Sequence, residues 1–143
     1  MKKCYATIHV WLHDMDHNID LNYRRKIRPI FLSYLGDAQY CDDSSRYTSP
    51  DWNGPGWYKM DETIGTQIPE EVVDPHSCGT DASGYLNGTH PSTVGELKDV
   101  NVCFSFNHNS CADNNTIQVA NCGSFYLYNL VTTPTCSNRY CSK

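Results

Sequence analysis

The sequence predicts a mainly β, small disulfide-rich domain with an antiparallel meander and long loops, preceded by an N-terminal segment of uncertain structure. Three observations carry this expectation. Eight cysteines are spread through 143 residues, more than a reduced cytosolic chain of this length usually carries, which points to an oxidising compartment. Apolar residues in the C-terminal half recur at every second position, the period of a half-buried strand. Between those runs stand Gly, Pro and Asn-Gly pairs, the chemistry of tight turns. The length fits one domain with a modest core.

Charge divides the chain. Residues 1–35 hold six basic and three acidic side chains, a net +3, and one cysteine, Cys4; the remainder holds five basic and thirteen acidic, a net −8, and seven cysteines. We therefore separate an unassigned N-terminal segment, residues 1–40, from a cysteine-rich domain, residues 41–143. An acidic body offers no electrostatic footprint for nucleic acid. No apolar run approaches the ~18–20 residues that would insert into a membrane. Arg24, Arg25, Lys26 and Arg28 read as a solvated basic face.

In the N-terminal segment, residues 27–35 are apolar but broken by Pro29, so helix and strand both stay open. His9, His13 and His17 recur every four residues and on a helix would share one face, a spacing that can hold a metal. No Glu follows the first His as in a zinc-protease helix, and Asp14, Asp16 and Asn18 are mediocre helix formers. No metal or other cofactor is assigned; a small metal-dependent enzyme is the least favoured alternative. Lys2 and Lys3 do not open a secretory leader, because Thr7 and His9 interrupt the following apolar run and no small-residue cleavage site follows. A secreted or extracellular location is therefore inferred from the cysteines, and the chain reads as a fragment of a longer protein.

Within the body, Asn53-Gly54 marks a turn and residues 57–60 a short strand. The polar, glycine-rich stretch 78–92 is read as a long loop with a second turn at Asn87-Gly88. Val100, Val102, Phe104 and Phe106 alternate with Asn101, Cys103, Ser105 and Asn107, predicting a half-buried strand over 99–107. Ile117 and Val119 repeat the pattern, Asn121-Cys122-Gly123-Ser124 turns, and aromatic and aliphatic residues follow. The predicted meander is 99–107, 115–121 and 124–131.

Chemistry-bearing motifs are few. The sequence contains two N-glycosylation sequons, Asn87-Gly88-Thr89 and Asn114-Asn115-Thr116. The first lies in a turn that exposes the amide, and the second is expected directly before a strand. Asn101-Val102-Cys103 and Asn109-Ser110-Cys111 fit the rarer cysteine form, but their cysteines are expected in bridges. His76 near Cys78 and His108 near Cys111 suggest a cysteine nucleophile, but cysteines at this density are expected to be paired. Adjacent acids, Asp61 with Glu62 and Glu70 with Glu71, read as solvated. No nucleophile elbow, phosphate loop or dinucleotide fingerprint is present, so no catalytic residue is assigned.

Several blocks then fall in register: Pro55-Gly56-Trp57-Tyr58, Thr66-Gln67-Ile68-Pro69, Cys78-Gly79-Thr80, Tyr85-Leu86-Asn87-Gly88-Thr89-His90-Pro91-Ser92, Ile117-Gln118-Val119, Asn121-Cys122-Gly123, Phe125-Tyr126-Leu127-Tyr128-Asn129-Leu130 and Tyr140-Cys141. Together they resemble the cysteine-rich domain shared by uromodulin and the major glycoprotein of pancreatic secretory granules, over about residues 42–143. The resemblance implies an extracellular, non-catalytic, disulfide-bonded module. In the mammalian relatives this domain displays an N-glycan that is a decoy for the mannose-specific adhesin of bacterial fimbriae, and the corresponding acceptor is Asn87. The implied partners are such an adhesin, through the glycan, and other extracellular proteins.

The chain departs from the family where Pro50 and Val72 stand in place of cysteines and where Ser110-Cys111 replaces a tandem pair. At least one bridge is thus missing or rewired. Cys78, Cys103, Cys111, Cys122, Cys136 and Cys141 match the module, whereas Cys4 and Cys41 lie at or outside its edge, with Cys4 expected to join Cys41 or a leftover body cysteine. A carbohydrate-binding or adhesion module, using Trp57, Tyr126 and Tyr128 as aromatic faces, is the alternative to their filling a core.

Overall fold

The computed structural model describes residues 24–25, 40–43, 52–60 and 65–143. Cys4, His9, His13 and His17 lie outside them. The strands in chain order are β1 (Arg24–Arg25), β2 (Gly56–Met60), β3 (Ala82–Leu86), β4 (Leu97–Phe106), β5 (Asn109–Asn121), β6 (Tyr126–Leu130) and β7 (Asn138–Tyr140). They form one sheet ordered β1-β2-β6-β5-β4-β3-β7. The pairs β4–β5 and β5–β6 are antiparallel, which is the predicted meander, and β1–β2 and β3–β7 at the two edges are parallel.

The alternation read from the sequence builds the inner face. Tyr58 and Met60 of β2, Val100, Val102 and Phe104 of β4, Ile117 and Val119 of β5, and Tyr128 and Leu130 of β6 are buried in one cluster with Ile68, Leu86 and Tyr140. Trp52 stacks on Tyr58 with ring centroids 5.7 Å apart. The Tyr58 hydroxyl donates to Gly54 O at 2.5 Å and accepts from Asn53 N–H at 3.1 Å, which locks the predicted Asn-Gly turn. Gly54 sits at φ +88, where a residue without Cβ is favoured.

Three expectations are corrected. The stretch 78–92 contains a fully buried central strand, β3, rather than one long loop. Its small residues are there because both faces are crowded. A Cβ on Gly84 would lie 2.7 Å from Arg139 O and 2.8 Å from a Phe104 ring carbon. On the opposite face Ser83 Oγ accepts from Ser77 N–H at 3.0 Å. Second, Cys103 and Ser105 are not on a solvent face. The segment around residues 73–78 crosses over them, so Val73, Cys78, Tyr85, Cys103 and Cys141 form a second small core, and Ser105 donates to Val73 O. Third, the register shifts between Phe104 and Phe106, which leaves Phe106 exposed instead of in the core.

The crowding at Gly84 yields a stability expectation. Gly84→Ala should destabilise the domain by about 1–3 kcal/mol, the usual cost of overpacking, because the nearest obstacle is backbone. A denaturant midpoint that does not move would show that β3 and β7 separate freely.

Three disulfides tie loops to the sheet: Cys41–Cys136, Cys78–Cys141 and Cys103–Cys111. Cys41 therefore belongs to the framework and is not the partner of Cys4. Asp42, beside it, is buried; its N–H donates to Asn138 O at 3.0 Å, and its Oδ2 accepts from Tyr140 N–H at 2.9 Å. The chain around Cys41 is thereby stitched along β7. Cys122 lies half-buried in the turn between β5 and β6.

Candidate functional site

The first sequon sits where the chain leaves the core. Leu86 is fully buried, and Asn87, Gly88 and Thr89 are all exposed before the chain returns at buried His90 and Pro91. Asn87 N–H donates to Asn101 O at 2.8 Å, so the acceptor residue still pairs with the neighbouring strand. Lys98 Nζ donates to Thr89 O at 2.9 Å and to Thr89 Oγ1 at 3.0 Å. The exposed tripeptide is thus held at both ends.

Its C-terminal anchor is a buried polar network that sequence reasoning missed. Glu70 Oε1 accepts from His90 N–H at 2.7 Å and lies 2.5 Å from His90 Nδ1. His90 Nε2 lies 2.8 Å from the Tyr128 hydroxyl, which accepts from Ile68 N–H at 3.1 Å. The network assigns the protons: with Ile68 donating to the phenol oxygen, the phenol proton goes to Nε2, and Nδ1–H goes to Glu70. The imidazole is therefore neutral. Tyr126 packs on it with centroids 4.3 Å apart. Burial holds His90 below its ordinary value, outweighing the Glu70 hydrogen bond that pulls the other way. The His90 backbone N–H, then its ring, holds the Glu70 carboxyl below the usual range. Burial pushes the Tyr128 phenol up. The sequence marks Glu70 as merely solvated; in the structure it is the acceptor that fixes the loop. The signal available is the His-Pro pair straight after the sequon.

These directions fix a pH dependence. The groups around His90 are Glu70, Tyr126, Tyr128, Lys98 and Lys143. His90 titrates at 6.5 when unperturbed, so as pH falls below that value the unfolded chain binds the proton first and stability declines down to the lower folded value. Glu70 adds a second loss below its unperturbed 4.5. Denaturant midpoints should therefore fall steadily on acidification from neutrality, with the first decline beginning near pH 6.5 and absent in His90→Gln. A flat profile down to about pH 5, between the two unperturbed values, would contradict the neutral network.

The second sequon lies inside β5 rather than directly before a strand, with Asn114 opposite Cys103 and Thr116 opposite Asn101. Asn114 and Thr116 are exposed. Residues 109–114 lack β-forming side chains, and their strand comes from closure of the β4–β5 hairpin through Asn107, at φ +52, and from the Cys103–Cys111 bridge. That one bridge takes the cysteines of both rare sequons. Asn101 Nδ2 is engaged by Asn114 Oδ1 and Asn115 O, each at 3.2 Å, and Asn109 Oδ1 accepts from Cys111 N–H at 3.0 Å.

Nothing among the described residues assembles a nucleophile. Cys78 and Cys111 are bridged, which corrects the cysteine–histidine pairings suggested by spacing. The grouping of Cys41, Asp43 and Cys136 has metal-ligand residue types, but its two sulfurs are joined to each other. Tyr128 is wholly buried and Trp52 nearly so, whereas Trp57 and Tyr126 are half-buried. No helix among the described residues is long and apolar enough to cross a membrane.

A model of the uromodulin-like cysteine-rich domain matches residues 58–142, from β2 through the final cysteine bridge. The chain belongs to this uromodulin-like domain family. It is 39% identical over 88 residues to the pancreatic secretory granule membrane major glycoprotein GP2 of Canis lupus familiaris, an alignment that covers 61% of this chain and 17% of that protein. Its similarity to the Homo sapiens GP2 is 36% over 93 residues, 64% of this chain and 17% of the relative. Uromodulin of Mus musculus is 35% identical over 88 residues, 61% of this chain and 14% of the relative. The chain thus spans less than a fifth of these relatives' length. The matched region contains the Cys78–Cys141 and Cys103–Cys111 bridges and both sequons.

Proposed function

We propose that this uromodulin-like domain is a non-catalytic extracellular glycoprotein module that presents an N-glycan on Asn87 to mannose-specific bacterial adhesins. The observation that carries the reading is the exposed Asn87-Gly88-Thr89 tripeptide between two buried anchors, Leu86 and His90. An oligosaccharide there leaves a fixed base on the sheet rather than a wandering loop, so the cost of ordering its root is already met by folding. Membership of a family whose matched relatives include a named glycoprotein supports the same reading. The disulfide framework supports an extracellular setting.

The test is secretion from animal cells followed by glycopeptide mapping and binding to a purified mannose-specific fimbrial adhesin. Glycan at Asn87 and adhesin binding that vanishes on enzymatic deglycosylation are expected. Bare Asn87 would reject the proposal. Binding to glycans on an array by the deglycosylated protein would favour a carbohydrate-receiving module instead.

A further inference from the structure

The β-ladder places the two sequons side by side. Asn87 lies across from Asn101 through its N–H bond, Asn101 is opposite Thr116, and Asn114 is two residues along the same strand. Two strand spacings of about 4.8 Å and two residue rises of about 3.4 Å put the two asparagines about 12 Å apart. Alternation supports a shared face. Leu86, Val102 and Ile117 point into the core, and Asn87, Asn101 and Thr116 are their outward-facing chain neighbours.

Asn114 is also chemically prepared. Its Oδ1 accepts from Asn101 Nδ2 at 3.2 Å, which leaves its own Nδ2 for solvent in an exposed residue. Glycosylation uses only that nitrogen. Transfer forms a bond from the anomeric carbon of a lipid-pyrophosphate-linked oligosaccharide to Nδ2, breaks that carbon's bond to the pyrophosphate oxygen, and releases the lipid pyrophosphate and one amide proton. The carbonyl oxygen keeps its hydrogen bond afterwards, so the modified side chain stays clipped to β4. The Asn115 side chain is occupied elsewhere, its Nδ2 donating to the Tyr140 hydroxyl at 2.8 Å.

We propose that Asn114 is a second N-glycan acceptor, and that its glycan stands over the same face as that on Asn87 and obstructs trimming of the Asn87 glycan. The second part rests on the reading of Asn87 as a displayed glycan. Two branched oligosaccharides rooted about 12 Å apart compete for the space a trimming glycosidase needs, so mannose-rich forms persist at Asn87. The proposed substrate class for the pair is therefore the mannose-rich N-glycan, kept so by crowding.

Thr116→Ala tests this cleanly, because it removes the second sequon while leaving Asn114 to accept from Asn101. The wild-type chain and this variant are secreted from animal cells, and glycoforms are measured peptide by peptide. Thr89→Ala is the reciprocal control for Asn87. The wild-type protein should carry glycan at both positions. In Thr116→Ala the endoglycosidase-H-sensitive fraction at Asn87 should fall by more than half. A bare Asn114 in wild-type protein overturns the proposal, as does an Asn87 glycoform distribution that Thr116→Ala leaves unchanged. Glycan at Asn114 with none at Asn87 overturns the crowding and the display reading together, whereas glycan at Asn87 alone overturns only the present proposal. Matching denaturant midpoints for wild type and Thr116→Ala show that a glycoform change does not come from misfolding.

Discussion

Replacing Cys78 and Cys141 together by alanine should leave little folded protein. The bridge spans 63 residues, and the loop-closure estimate for that length is about 4 kcal/mol. Domains of this size are stable by only about 5–15 kcal/mol. The chain-entropy term is not the whole loss, because both cysteines are completely buried in the second core, and the Cys78 carbonyl accepts from Arg139 Nη1 at 2.9 Å. Arg139 is itself buried in the edge strand β7. Loosening Cys78 therefore also loosens the seat of a buried guanidinium. The same argument ranks the three bridges. Cys41–Cys136, closing 95 residues, should cost slightly more than Cys78–Cys141 in loop entropy. Cys103–Cys111, closing 8, should cost roughly 2–3 kcal/mol. Secretion yield and denaturant midpoints of the three double-alanine variants read the order directly. A Cys103–Cys111 variant less stable than the other two would show that hairpin closure, rather than long-range stapling, holds the sheet.

The order of costs bears on what is legible in the sequence. The meander is visible because β4, β5 and β6 each carry the period-two apolar pattern through Val100 to Phe104, Ile117 to Val119 and Tyr126 to Leu130. β3 is not visible, since Ala82-Ser83-Gly84 has the composition of a loop. What makes it a strand is tertiary: Phe104 and β7 press on Gly84 from one side, and the crossing segment satisfies Ser83 and Ser105 from the other. The N-terminal half of β5 is hidden for a related reason, its polar residues being held extended by the hairpin and a bridge. The sequons are legible as a short pattern, but their shared face is not, because it depends on the register of three strands. Glu70 shows the limit most plainly. Beside Glu71 it has the appearance of a solvated acidic pair, yet one partner binds His90 and the other Lys143, the latter at 2.7 Å through Oε1. Nothing local distinguishes the two.

Tyr128→Phe should cost about 2–4 kcal/mol, although it removes a single oxygen. That oxygen serves two buried groups at once, accepting from Ile68 N–H and bonding His90 Nε2, and each group stranded without a partner costs about 1–3 kcal/mol. Phenylalanine fills nearly the same volume, so packing around the ring changes little and the loss isolates the polar term. A double-mutant cycle with His90→Phe separates the two contributions. If Tyr128 acts through His90, the double variant should lose less than the sum of the singles, because removing His90 leaves only the Ile68 N–H stranded. Strict additivity would mean the hydroxyl serves Ile68 alone. The functional consequence follows from position. Ile68 and His90 are the places where the chain on either side of β3 is fastened to the inner face, and His90 directly follows the exposed sequon. Amide hydrogen exchange across residues 87–90 should therefore quicken in Tyr128→Phe, while exchange in β5 beyond Ile117 stays near wild type. Equal acceleration in both regions would show that the phenol supports the whole sheet rather than the glycan's base.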